Sequence, residues 1–347
     1  MTAFKGLGTT GDAAGVVAPL DHKLAQAAGV TKTTTPLVIR PGLFYSGSST
    51  IVSGTAGMAY SVAAYQIVTQ RSASAGVVFG GNDGALSVAT TAAPGSNSRI
   101  DIVYHWHREF ALDGVDSNPV IGVAQGTAAA SPTAPSLAAF PGAIELARIT
   151  IAAGVTATNS GPTITQAAPF TSSDTGKVPF RTTTEMNLWT TALTDQLALD
   201  LSSQITYRRS GSAWVAWNSA SIAYTPTLTN VTLGTGGTNV GSYRFVAGRV
   251  IVDILITLGT GGSVGTNPIA TLPVTSVALP SFIRRNGFVS LYDGSALNSF
   301  VGGALAANTT EVRFQLFNPI SVSITSTNPF TWTVNDVILA QIEYEAA

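Results

Sequence analysis

From Val250 to Leu258 every second residue is a branched or long aliphatic: Val250, Val252, Ile254, Ile256 and Leu258. An extended chain points successive side chains to opposite faces, so this spacing gathers all five on one side of a strand and gives that strand one face to bury. Ala247-Gly248 supplies a turn just before it, and residues 241–247 read as the partner strand of a hairpin. Short runs of the same character recur along the chain: Leu37-Val38-Ile39, residues 63–68, Val77-Val78-Phe79 and residues 100–106 in the first half, then 227–232, 288–292, 311–316, 320–324 and 337–344. Turn residues such as Gly80-Gly81-Asn82-Asp83-Gly84, Pro94-Gly95 and Gly259-Thr260-Gly261-Gly262 separate them. Units this short, each closed by turn chemistry, restrict the chain to sheets, and the fold class predicted is all-β.

Charge excludes several partners. Asp, Glu, Lys and Arg make up 10% of the 347 residues, against about 25% in an ordinary soluble domain, and 17 basic residues offset 18 acidic ones. Such a surface gives no electrostatic attraction for nucleic acid or an anionic membrane. It also leaves little repulsion between copies of the chain, so self-association is an expectation. No cysteine is present, which removes disulfides and thiolate metal sites. No apolar run approaches the roughly 20 residues of a membrane span, so no membrane insertion is expected. Residues 1–8, with Lys5 as their one charge, lack the apolar stretch of a secretory leader.

Four segments follow from the punctuation. Residues 1–35 read as an N-terminal docking arm with a helix over Asp21–Ala28, stopped by Gly29. Residues 36–175 read as a first β-sandwich, interrupted by the small, proline-bearing loop 126–136. Residues 176–222 read as a helical neck followed by a small hairpin about Ser210-Gly211-Ser212. Residues 223–347 read as a second sandwich of jelly-roll type. In the neck, Thr182 and Glu185 form a capping-box pattern, and Met186, Trp189, Leu193, Leu197 and Leu201 recur at three- or four-residue steps. A helix to Leu201 carrying that seam would bury it either against equivalent helices of other copies, in a trimeric neck, or on a neighbouring domain of its own chain.

Few residues suggest chemistry. His105 and His107 sit two apart on one strand face with Asp101, a spacing suited to a shared metal, although without a third ligand nearby beyond Asp101 surface or interface packing is the simpler explanation. The same strand assigns Ile100, Ile102, Tyr104 and Trp106 to the core face. Gly176-Lys177 lacks the earlier glycine and the following hydroxyl of a phosphate loop. The acids Asp101, Asp113, Asp116, Asp253 and Asp293 are scattered, and no nucleophile motif accompanies His22, so no catalytic or cofactor-binding residues are assigned. Tyr292, Phe330 and Trp332 are candidates to stack on sugar faces, against the alternative that they fill or seal the last core.

Two stretches carry a resemblance. Arg99-Ile100-Asp101-Ile102-Val103, then Pro132-Thr133-Ala134-Pro135, then residues 144–154 (IELARITIAAG), resemble in that order an N-terminal β domain of minor tail proteins of long-tailed phages infecting actinobacteria. Tyr224-Thr225-Pro226-Thr227, residues 241–252 (GSYRFVAGRVIV) and Leu272-Pro273-Val274 are similar to C-terminal domains of the same proteins. Lys177-Val178-Pro179-Phe180-Arg181 and Gly211-Ser212-Ala213-Trp214 resemble their neck, whereas the helix containing Trp189 departs from it. What the resemblance implies is a homotrimeric, non-enzymatic virion protein whose N-terminal part joins other tail-tip or baseplate proteins and whose C-terminal part meets host cell-surface glycan. Two other functions stay open at this stage: an architectural head-decoration or collar fibre without receptor specificity, and a depolymerase of cell-wall polysaccharide.

Overall fold

The computed structural model describes residues 19–35, 37–277, 285–318 and 320–347; the stretch read for a leader, residues 1–8, and most of the docking arm lie outside them. The chain is all-β: among the described residues helix is confined to Pro19–Gln26, Phe110–Asp113, Thr183–Asn187 and two short 3-10 turns. The arm helix begins at Pro19, two residues before its expected start, and its 3-10 continuation ends at Gly29 as expected. Two compact units emerge. One comprises the residues up to Ser203 with Arg209–Ala213, and the other comprises Gln204–Arg208 with Trp214–Ala347. The boundary thus falls along the strands Ile205–Ser210 and Ala213–Ser219, which flank the turn expected at Gly211.

In the first unit, Arg99–His107 is a central strand, paired antiparallel with Pro119–Gln125 on one side and Ile144–Ile151 on the other. A second sheet contains Gly42–Phe44, Tyr65–Thr69 and Val78–Asn82. Leu43, Tyr65 and Ile67 of this sheet share one buried cluster with Val103, Leu146, Ile149 and Ile151 of the other, so the two sheets enclose a common core. Each such aliphatic side chain contributes about 1.5–3 kcal/mol by leaving water.

The second unit is built from one ten-stranded sheet rather than the two stacked sheets expected of a jelly roll. Arg249–Thr257 explains why: it pairs over its full length with Thr238–Val246 and with Val337–Glu345. The apolar face read from the sequence is buried, with Val250, Val252, Ile254 and Ile256 inside beside Ile338, Ala340, Ile342 and Tyr344 of the neighbouring strand. The edge strands of the sheet are Ile222–Tyr224 and Leu228–Thr232, which are consecutive in the chain. The four chain steps between Tyr224 and Leu228 reach at most about 14 Å. Eight strand spacings laid flat would hold those edges about 38 Å apart, so the sheet has to curl around its own core. Two Gly-rich segments, Gly234-Thr235-Gly236-Gly237 and Gly259-Thr260-Gly261-Gly262, each flank strands and would most simply be separate hairpin loops; instead they clasp each other: Thr235 N donates to Thr260 O and Thr260 N to Thr235 O, both at 2.9 Å.

The neck helix is corrected. Thr182 Oγ1 accepts from Glu185 N at 3.2 Å, and the Glu185 carboxylate accepts from Arg181 N at 2.8 Å, so the capping signal is real. The helix nevertheless ends at Asn187. Thr190, Thr191 and Thr194 give it little support, Asp195 takes a left-handed φ of 69°, and Leu197–Asp200 forms a strand parallel to Lys177–Phe180. The five seam residues therefore do not share a face. Met186 and Trp189 are buried, Trp189 beside the Phe180 ring at 5.8 Å and under the Arg40 guanidinium at 4.5 Å; Leu197 and Leu201 are half-buried and Leu193 is exposed.

Candidate functional site

The histidine strand places its chemistry deeper than expected. Asp101, Val103 and His105 are fully buried, whereas Ile100 and Trp106, assigned to the core face, are only half-buried. Alternation separates the two faces of a strand but does not say which faces the larger core. Here the polar-looking face meets the second sheet, and the other is capped by Phe140, stacked on Tyr104 at 4.6 Å. His105 Nδ1 lies 2.8 Å from the Tyr65 hydroxyl. Its Nε2 and the Nδ1 of His107 are buried without a hydrogen-bond partner in the protein. A Cβ added at Gly80 would lie 3.2 Å from His105 Nε2, tighter than an ordinary contact, and 3.6 Å from His107 Nδ1, so the glycine eases the close approach of the His105 ring. Burial, with His107 adding repulsion, pushes the His105 imidazole down to about 4; burial also lowers His107 and raises the Tyr65 hydroxyl.

A metal needs more ligands than this pair. Asp101 is held by Arg99, whose Nε and Nη2 reach its two oxygens at 3.0 and 3.2 Å, and by Thr90 Oγ1 at 2.8 Å. Glu109, two residues beyond His107, pairs with Lys23. Among the described residues no group of three or more metal-ligating side chains assembles. The other acids singled out are also engaged: Asp113 with Arg71, Asp116 with Arg108, Asp253 with Arg244, and Asp293 in a turn where it accepts from Ser295.

The aromatic candidates separate. Phe330 and Trp332 are buried in the second unit's core, their ring centroids 4.5 Å apart, with Phe300 5.5 Å from Phe330 and the Trp332 indole N–H donating to Thr325 O at 2.9 Å. They seal the core and offer no face to a sugar. Tyr292 is half-buried on a strand whose alternate residues Val289 and Leu291 point inward. The three form no common platform.

No family model, curated protein or solved structure matches this chain.

The first unit supplies a contact surface of a different composition. A 390 Å³ hollow is lined by Phe44, Gln66, Ile67, Phe79 and Gly80. The Phe44 and Phe79 rings stack at 6.1 Å with 14° between their planes, and Phe79 and Gln66 are exposed. An apolar ring face next to an amide is chemistry that receives a sugar ring, one partner for its C–H face and one for a hydroxyl. Phe44 and Phe79 lie 35 residues apart on strands not directly paired with each other, so nothing local in the sequence marks them as a pair. A smaller hollow of 220 Å³ is bordered by Lys32, Asp174, Asp195 and Gln196.

Proposed function

We propose that this chain is a structural protein of a phage tail, present as a homotrimer beside other tail-tip or baseplate proteins, which attaches the virion to host cell-surface glycan through weak, repeated contacts. The carrying observation is where the motif strands fall. Arg99–His107 and Ile144–Ile151, the two strands of the first resemblance, pair directly in register from Arg99 against Ile151. The intervening loop rejoins the same sheet through the bridge between Ser98 and Ala129. In the second unit Tyr224 pairs with Gly241, and a Cβ at Gly241 would come within 2.5 Å of the Tyr224 ring. The paired strands of the first resemblance and the Tyr224–Gly241 contact of the second thus have a structural reason for their residues, which supports a framework role.

Three or more shallow sites on one particle act together by effective concentration, so each can be of millimolar affinity. The Phe79 hollow and Tyr292 are the candidate contacts. Binding of the purified chain to actinobacterial cells tests the reading, with Phe79→Ala and Tyr292→Ala compared against the parent. A tenfold or greater loss in one variant assigns the contact. Undiminished binding by both removes these residues from the proposal, and no binding by the parent removes the function.

Asp174 and Asp195 on one hollow favour a second reading, a depolymerase, because glycoside cleavage uses two carboxylates about a single bond. Release of reducing ends from cell-wall polysaccharide would support it.

A further inference from the structure

Three strands of the first unit meet at the 390 Å³ hollow. Register sets Phe44 opposite Gln66 and Gln66 opposite Gly81. An aromatic ring, an amide and a position without a side chain therefore stand side by side in one row, and Phe79 follows two residues from Gly81 on the same strand. Gly81 has to be glycine, because a Cβ there would come within 2.3 Å of Tyr65 O. The gap beside Gln66 is thus fixed by the backbone. Gln66 is exposed and its amide bonds to none of the described residues, whereas the amides of Gln70, Gln166 and Gln196 are held by backbone groups. A donor and an acceptor are left unspent at the edge of the stacked Phe44 and Phe79 rings. None of the five lining residues is charged.

We infer that this hollow selects an uncharged pyranose, with the C–H face of the sugar on Phe79 and Phe44 and a hydroxyl or acetamido group on the Gln66 amide. An acidic sugar is disfavoured: its carboxylate or phosphate would lose hydration against the rings without meeting a cation, and one neutral amide does not offset that cost. The volume lies toward the lower end of the roughly 300–1,000 Å³ of small-ligand pockets, which suits a short stretch of glycan. With no ion pair to screen, binding is indifferent to salt. The inference rests on the attachment reading and deepens it by naming the chemical class of the receptor, a neutral polysaccharide rather than an acidic wall polymer.

Actinobacterial cell-wall glycan is separated by anion exchange into uncharged and acidic fractions, each fraction is coupled to beads, and retention of the full chain is measured at low and high salt. Phe79→Ala and Gln66→Ala are compared with a control, Phe110→Ala, an exposed ring outside the hollow, and circular dichroism confirms each fold. The expected result is that the uncharged fraction holds parent and control with little change across the salt range, and binds each hollow variant at least tenfold more weakly. Retention by the acidic fraction alone, release of the parent at high salt, or folded hollow variants that bind as the parent does overturns the inference. Should one variant fail to fold, the other decides. Whole cells separate the two readings: a chain that holds to cells but not to the uncharged fraction sinks the sugar class and spares the attachment reading. A chain that the uncharged fraction retains through Phe79 and Gln66, but that ignores cells, does the reverse.

Discussion

His105 shows how much one residue constrains. It is buried between two sheets with the Tyr65 hydroxyl on one nitrogen and the space left by Gly80 beside the other, and it is neutral at physiological pH. Its folded value near 4 lies below the ordinary 6.5, so the unfolded chain takes up a proton first as pH falls. Stability is full above pH 6.5, declines between 6.5 and 4, and is flat with respect to this group below 4. The drop amounts to about 3 kcal/mol at roughly 1.4 kcal/mol per pH unit. Urea midpoints measured across that range should fall for the parent chain, and His105→Gln should remove most of the slope; an unchanged slope in the variant would mean that other groups carry the acid sensitivity. The alternation of Arg99–His107 was readable in the sequence, but the depth of its two faces was not, because depth depends on the strand holding Gly80 and on the Phe140 loop, neither of which is adjacent in the chain.

At the scale of elements, the strands were legible wherever one face is buried and the other wet, as in Arg249–Thr257 and Val337–Glu345, since period two leaves little choice. The neck was misread for a physical reason. Steps of three and four from Met186 to Leu201 fit a helix, yet Leu197–Asp200 finds parallel hydrogen-bonding partners in Lys177–Phe180, about twenty residues earlier, and no local pattern announces a parallel partner. Substitutions separate the two pictures. Met186→Ala, which empties a fully buried site, should cost about 2–5 kcal/mol. Leu193→Lys, at an exposed position, should stay within about 0.5 kcal/mol. Comparable losses from both, measured by denaturant unfolding, would restore the continuous seam. Phe330 and Trp332 illustrate the same limit: large aromatics near a chain end read equally as core or as contact, and the packing of Phe330 on Phe300 decides for core.

At the scale of the whole molecule, two all-β units with few charges make a chain suited to repeated copies. The strand motifs that carry the resemblance, Arg99–Val103 and the residues from Ile144 to Ile151, appear in it as framework strands. The candidate glycan contact was the least legible feature, because Phe44 and Phe79 meet only after two strands fold past a third. The attachment reading requires that the assembled chain hold to cells although each contact is weak. Co-sedimentation of the purified chain with actinobacterial cells over a micromolar range tests this most directly. The account predicts saturable retention that is competed by soluble cell-wall glycan and reduced at least tenfold by Phe79→Ala. A multimeric, folded chain that stays in the supernatant at every concentration would contradict it.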